Sequence, residues 1–119
     1  MTLILIVNKH NRIIYKKAFN QPKNPLPYLL AYAVLDSSVS QYYEAYYAES
    51  IILNSGHRIV FVRKKTQKVP KKFINKMTQS FIKEIMSPFV NDDSDLGGRF
   101  NEEVTSLFNQ YIFNISYSL

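Results

Sequence analysis

Two histidines, a face of tyrosines and a run of ten residues with six basic side chains are the places where this sequence could do chemistry or meet a partner. His10 and His57 are the only candidates for general acid–base work, which needs a base within hydrogen-bond reach of a nucleophile. Both fall in polar turns, Lys9-His10-Asn11-Arg12 and Asn54-Ser55-Gly56-His57, where the pattern places no carboxylate or serine to orient a ring. They read as solvated turn residues. The phosphate-binding and nucleophile-elbow spacings G-x-x-x-x-G-K-[ST], G-x-G-x-x-G and G-x-S-x-G do not occur. Asn91, Asp93, Asp95 and Glu102 fall at offsets 1, 3, 5 and 12 of a calcium loop, but Leu96 stands where the sharp turn needs glycine, so the stretch reads as a solvated acidic loop. Asn114-Ile115-Ser116 matches a glycosylation sequon but falls in an expected helix of a chain read as cytosolic. No catalytic residue, cofactor or metal site is assigned.

The basic run spans Arg63 to Lys72, with Arg63, Lys64, Lys65, Lys68, Lys71 and Lys72 as the candidate anionic-surface residues. It sits in a longer bias, because Ser50 to Lys83 holds nine Lys and Arg and no Asp or Glu. A solvated face is the plain interpretation of such a run. Reversible attraction to anionic lipid comes next. Nucleic acid comes third, because single-strand readers place exposed aromatics among the cations, whereas Phe73 and Phe81 here fit a core stripe. A small RNA-binding domain using this tract is the alternative function.

The elements that carry these residues follow from periodicity. Thr2 to Asn8 is apolar on both alternations, and so is Ile59-Val60-Phe61-Val62 within Arg58 to Lys64; both predict strands covered on both faces. Ile13 to Phe19 and Tyr47 to Asn54 mix polar and apolar residues and predict flanking hairpin partners, the second joined through a tight turn at Gly56. Leu26, Leu29, Leu30, Ala33 and Val34 mark the core stripe of a helix closing at Ser37. Its other side carries Tyr28, Tyr32, Leu35 and Asp36, and is the candidate partner-binding face; the tyrosine-rich 42–47 stretch is the competing cover. Pro70 opens a second helix with the stripe Phe73, Ile74, Met77, Phe81, Ile82, Ile85 and Phe89. A third begins near Phe100 or Asn101, with Glu102 and Glu103 in its first turn, and continues to Ile115. The order is ββαββαα.

The 119 residues, with 46% hydrophobic content and net charge +6, fit one domain over 1–119 with no room for a second. No apolar run reaches the length of a spanning helix, and the start lacks the flanks of a signal peptide. The absence of cysteine fits a reducing compartment, here the cytosol.

Leu29-Leu30-Ala31-Tyr32-Ala33-Val34-Leu35-Asp36, then Asn54-Ser55-Gly56-His57-Arg58-Ile59-Val60-Phe61-Val62, then Met86-Ser87-Pro88-Phe89 followed by Phe100 and Val104, resemble in order and spacing the sedlin family. These are small longin-like subunits of the TRAPP vesicle-tethering complex. The resemblance implies an α+β, longin-like or profilin-type antiparallel sheet of four or five strands, with one helix on one face and two on the other. It implies a non-catalytic adaptor subunit of a Rab guanine-nucleotide-exchange assembly in ER-to-Golgi transport. Such a protein is cytoplasmic and peripheral at ER–Golgi and Golgi membranes. The other subunits of that assembly are the expected partners, and Asp36 matches the family position associated with adaptor binding. A longin-type module acting on a SNARE in trans is a further possibility. Between Asp36 and Asn54 the chain is shorter than the family by roughly a strand of 5–6 residues, so the family's extra edge strand is expected to be lost or reduced to Gln41–Tyr46.

Overall fold

The computed structural model describes residues 3–19, 27–29, 31–32, 41–43, 45–87 and 96–113. Among them are the strands β1 (Leu3–Val7), β2 (Ile13–Ala18), β3 (Gln41–Tyr43), β4 (Tyr46–Ile52) and β5 (Arg58–Lys64). Residues 27–29 and 31–32 are helical and are termed α1. They are followed by α2 (Lys71–Ile85), α3 (Gly98–Phe108) and a π-helical turn, Asn109–Phe113. Two compact units divide the chain at Lys68 and Val69.

In the first unit every strand pairing is antiparallel and the order is β2-β1-β5-β4-β3. The two strands with apolar residues on both alternations are therefore neighbours in the middle, paired from Leu3 with Val62 to Val7 with Arg58. All five β1 side chains are buried, as are Ile59, Val60, Phe61 and Val62 of β5. Each such aliphatic side chain contributes about 1.5–3 kcal/mol when removed from water. β3 is a three-residue edge strand, so the extra strand is reduced rather than lost. The elements are those of an α+β fold of longin type.

One face of the sheet, formed by Leu3, Leu5, Val7, Tyr46, Ala48, Val60 and Val62, packs against Ala31, with Tyr28, Ile13 and Ala18 at its margin. This corrects two expectations for the first helix. Tyr28, placed on the outer side by the sequence, packs inward, and Lys16 Nζ lies 4.7 Å from its ring centroid. Leu29, assigned to the core stripe, is 60% exposed. The spacing that grouped Leu29 with the core put it on the wrong flank. The helix approaches through Ala31, which has no bulk to hold the two backbones apart. Leu26, Leu30, Ala33 and Val34 lie outside the described residues or their described side chains.

In the second unit, Phe73, Met77 and Phe81 of α2 and Phe100 and Val104 of α3 are buried, and the Phe81 and Phe100 rings meet edge to face at 6.0 Å. Arg99 reaches the largely buried Glu84 carboxylate at 3.1 Å, a second tie between these helices. Pro70 is the N-cap of α2, just before the first turn. Ile82, placed in the stripe by its spacing, sits at its margin and is 39% exposed. α3 starts at Gly98, earlier than the sequence suggested, which moves Glu102 and Glu103 out of its first turn; the α-helical part ends at Phe108.

The β1–β2 and β4–β5 turns lie side by side at one end of the sheet, because Val7 pairs with Arg58. In the first, Asn8 Oδ1 accepts hydrogen bonds from the His10 and Arg12 amides, both at 2.9 Å. In the second, Gly56 has φ +88°, and a Cβ there would stand 2.9 Å from Lys9 Cβ. Gly56→Ala is expected to destabilise the protein by roughly 2 kcal/mol in urea unfolding through left-handed strain and this contact. Adding Lys9→Gly should recover the steric part alone, and an unchanged midpoint for Gly56→Ala would contradict the close approach of the two turns.

Candidate partner-binding and anionic surfaces

The Ser55–His57 pair is the nearest approach to catalytic geometry among the described residues. Ser55 Oγ lies 2.7 Å from His57 Nδ1, so a serine does orient this ring, contrary to the sequence reading. The imidazole is also fully buried rather than solvated. A buried ring in a loop closed by Leu53 N donating to His57 O, and Gly56 N donating to Leu53 O, holds the turn rather than meeting a substrate. The missed signal was the strand period: counting back in twos from Phe61 and Ile59, both buried, reaches His57. His10 is exposed in its turn, as expected.

The outward side of α1 is built differently from the expected face. Leu29 and Tyr32, three residues apart and so on one helical flank, are the exposed pair, Tyr32 at 44%. Tyr28 belongs to the packed side. Leu35 and Asp36 lie outside the described residues. Leu29 was hidden from the sequence reading because nothing in its type distinguishes a core leucine from an interface leucine.

The six cations of the basic run separate into two kinds. Arg63 is half-buried, with its guanidinium 4.6 Å from the centroid of the Tyr47 ring, its direct cross-strand partner. Its Nη1 donates to the carbonyls of Lys64, Lys65 and Gln67 at 3.3, 3.4 and 3.1 Å. Arg63 thus organises the turn leaving β5, with its planar head stacked on Tyr47 while Nη1 reaches the three carbonyls. The Tyr47 hydroxyl in turn donates to Glu49 Oε2 at 3.4 Å. Lys64, Lys65, Lys68, Lys71 and Lys72 are exposed, with Lys72 Nζ 5.9 Å from the Tyr111 ring centroid. Phe73 and Phe81 are fully buried and offer no stacking platform.

A helix packed through Ala31 on an antiparallel sheet whose two doubly buried strands are central fits the fold of the family that the ordered motifs resemble. The family model described as Sedlin matches residues 32–110, more than half of the chain. The chain belongs to the sedlin family. The match begins at Tyr32 and runs through β3, β4, β5 and α2 into the π-helical turn after α3, so the β1–β2 hairpin lies outside it. No individually curated protein matches the chain. Sedlin-family proteins are non-catalytic subunits, and membership implies a TRAPP-related role in vesicle trafficking within a hetero-oligomer. No helix among the described residues is long and apolar enough to cross a membrane.

Arg63→Lys keeps the charge but loses the planar head stacked on Tyr47 that holds the donor nitrogen over the carbonyls, and is expected to cost about 1 kcal/mol of stability. Hydrogen exchange should quicken selectively at residues 64–67. Unchanged exchange there would show that the arginine does not hold this turn.

Proposed function

We propose that this sedlin-family chain is a non-catalytic adaptor subunit of a TRAPP-like tethering and Rab guanine-nucleotide-exchange complex in ER-to-Golgi transport. In this reading all of 1–119 acts as one longin-like domain, cytoplasmic and peripheral at ER–Golgi and Golgi membranes. The observation that carries it is the sedlin family match over residues 32–110, and the exposed pair Leu29 and Tyr32, on a helix whose other flank is spent on the sheet, marks the surface available for docking. A leucine and a tyrosine suit an interface centre, since the ring buries a large area while its hydroxyl keeps a hydrogen-bond partner.

The docking surface for a larger subunit comprises Tyr32 and Leu29, with Asp36, which follows Tyr32 by four residues in sequence; Leu35 follows Ala31 of the packed side by four. Asp36 supplies a charge-assisted hydrogen bond that fixes the partner's orientation. Tyr28, committed to the sheet side, supports the helix rather than meeting the partner. The exposed Lys64, Lys65, Lys68, Lys71 and Lys72 add salt-sensitive attraction to an anionic leaflet, each contributing about 1 kcal/mol close to the surface.

The test is affinity purification of the tagged full-length chain followed by mass spectrometry. Tyr32→Ala and Asp36→Tyr should each reduce recovery of the larger subunits at least about tenfold, the effect of losing an interface hot spot, with a nearly unchanged thermal midpoint. Full recovery with both variants would remove the α1 surface from the account. A large fall in midpoint with recovery intact would make these residues structural.

A further inference from the structure

The solvent side of α2 combines cations and apolar side chains that, apart from Lys72 beside the Tyr111 ring, the packing of the helix does not use. Lys71, Lys72, Lys76 and Lys83 are exposed, as are Ile82 at 39% and Met86, just beyond the last helical residue, at 78%. At 100° per residue, Lys72, Lys76 and Lys83 fall within about 40° of one another, and Met86 and Ile82 continue the same exposed arc. Lys72 and Lys83 are separated by about 16 Å along the helix.

No exposed acid opposes them on this helix. Its only carboxylate, Glu84, is largely buried and accepts from Arg99 at 3.1 Å, while the Arg99 side chain itself remains mostly exposed. The face is therefore cationic along its length and apolar at its C-terminal end.

We propose that this face of α2 lies on an anionic bilayer, with Lys72, Lys76 and Lys83 at headgroup level and Ile82 and Met86 entering the interface. The inference deepens the membrane attraction assigned above to the lysines of 64–72, and rests on that reading. Charge complementarity selects the occupant. Protein interfaces favour arginine, whose fork fixes paired geometry, and are depleted in lysine. Every cation on this helix is lysine. Mobile point charges on long stems suit a fluid sheet of anions, which demands no fixed register, and the stems themselves can lie along acyl chains with the ammonium in water. Ile82 and Met86 then supply the apolar contact that charge attraction alone lacks, and both are free to do so without disturbing the buried Phe73, Met77 and Phe81.

Co-sedimentation of the full chain with phosphatidylcholine vesicles, with and without phosphatidylserine, tests this directly. The wild-type chain should bind only the serine-containing vesicles. Ile82→Ser combined with Met86→Ser should lower the partition coefficient roughly tenfold while leaving the circular dichroism spectrum unchanged. Lys72→Glu, Lys76→Glu and Lys83→Glu together should abolish binding. Met86→Trp should show a blue-shifted emission on serine-containing vesicles alone, and an unshifted spectrum overturns insertion. If the double serine variant binds like wild type while Lys64→Glu with Lys65→Glu loses binding, α2 is excluded and the attraction of the 64–72 lysines stands. If the wild-type chain ignores these vesicles, both fail. Should the double serine variant keep vesicle binding but lose a co-purifying subunit, the face is a protein interface and the proposal is overturned.

Discussion

The pairing of β1 with β5 is the constraint on which the first unit depends. Both strands are apolar on each side of the chain, and in register they place Leu3, Leu5, Val7, Val60 and Val62 on one face and Ile4, Ile6, Ile59 and Phe61 on the other, all buried. Strands of this kind cannot stand at an edge or face water on either side, so their hairpin partners β2 and β4 must flank them. Because β2 and β3 end at opposite edges of the sheet, the chain between them has to cross from one side to the other. The helical residues of α1 lie in that crossing and cover one face.

That arrangement decides which surfaces remain available to partners. α1 spends Ala31 and Tyr28 on the sheet and leaves Leu29 and Tyr32 outward. The same division recurs in the second unit, where α2 commits Phe73, Met77 and Phe81 to packing and leaves lysines with Ile82 and Met86 outside. In both helices the exposed apolar side chains sit next to polar or charged neighbours. The polar atoms that look most chemical are absorbed by structure: Ser55 steadies a buried His57, Arg63 gathers the carbonyls of a turn, and Glu84 is held by Arg99.

Strand identity was legible because a two-sided apolar run has few physical interpretations, and Gly56 announced its turn because few other residues adopt φ +88°. Periodicity supplied the order of elements, and comparison with the family supplied the expectation of an edge strand lost or reduced, which is β3. What the sequence hid were decisions made by packing distance. It assigned Leu29 to the core by its helical spacing with Leu26, Leu30, Ala33 and Val34, whereas the helix approaches the sheet through Ala31, a small residue that the stripe passed over. It placed Ile82 in a stripe whose edge the packing does not reach. It read His57 by its turn neighbours and not by the strand alternation that extends into the turn. Arg63 was counted with the lysines because net charge does not record how many carbonyls a guanidinium can reach.

Native-state hydrogen exchange on the full chain tests the primacy of the β1–β5 pair most directly. The slowest amides should lie in Ile4–Ile6 and Ile59–Val62, and their opening free energy should equal that of global unfolding measured by urea. Exchange of these amides through a smaller opening, while α2 stays protected, would show that the sheet is not organised around its central pair.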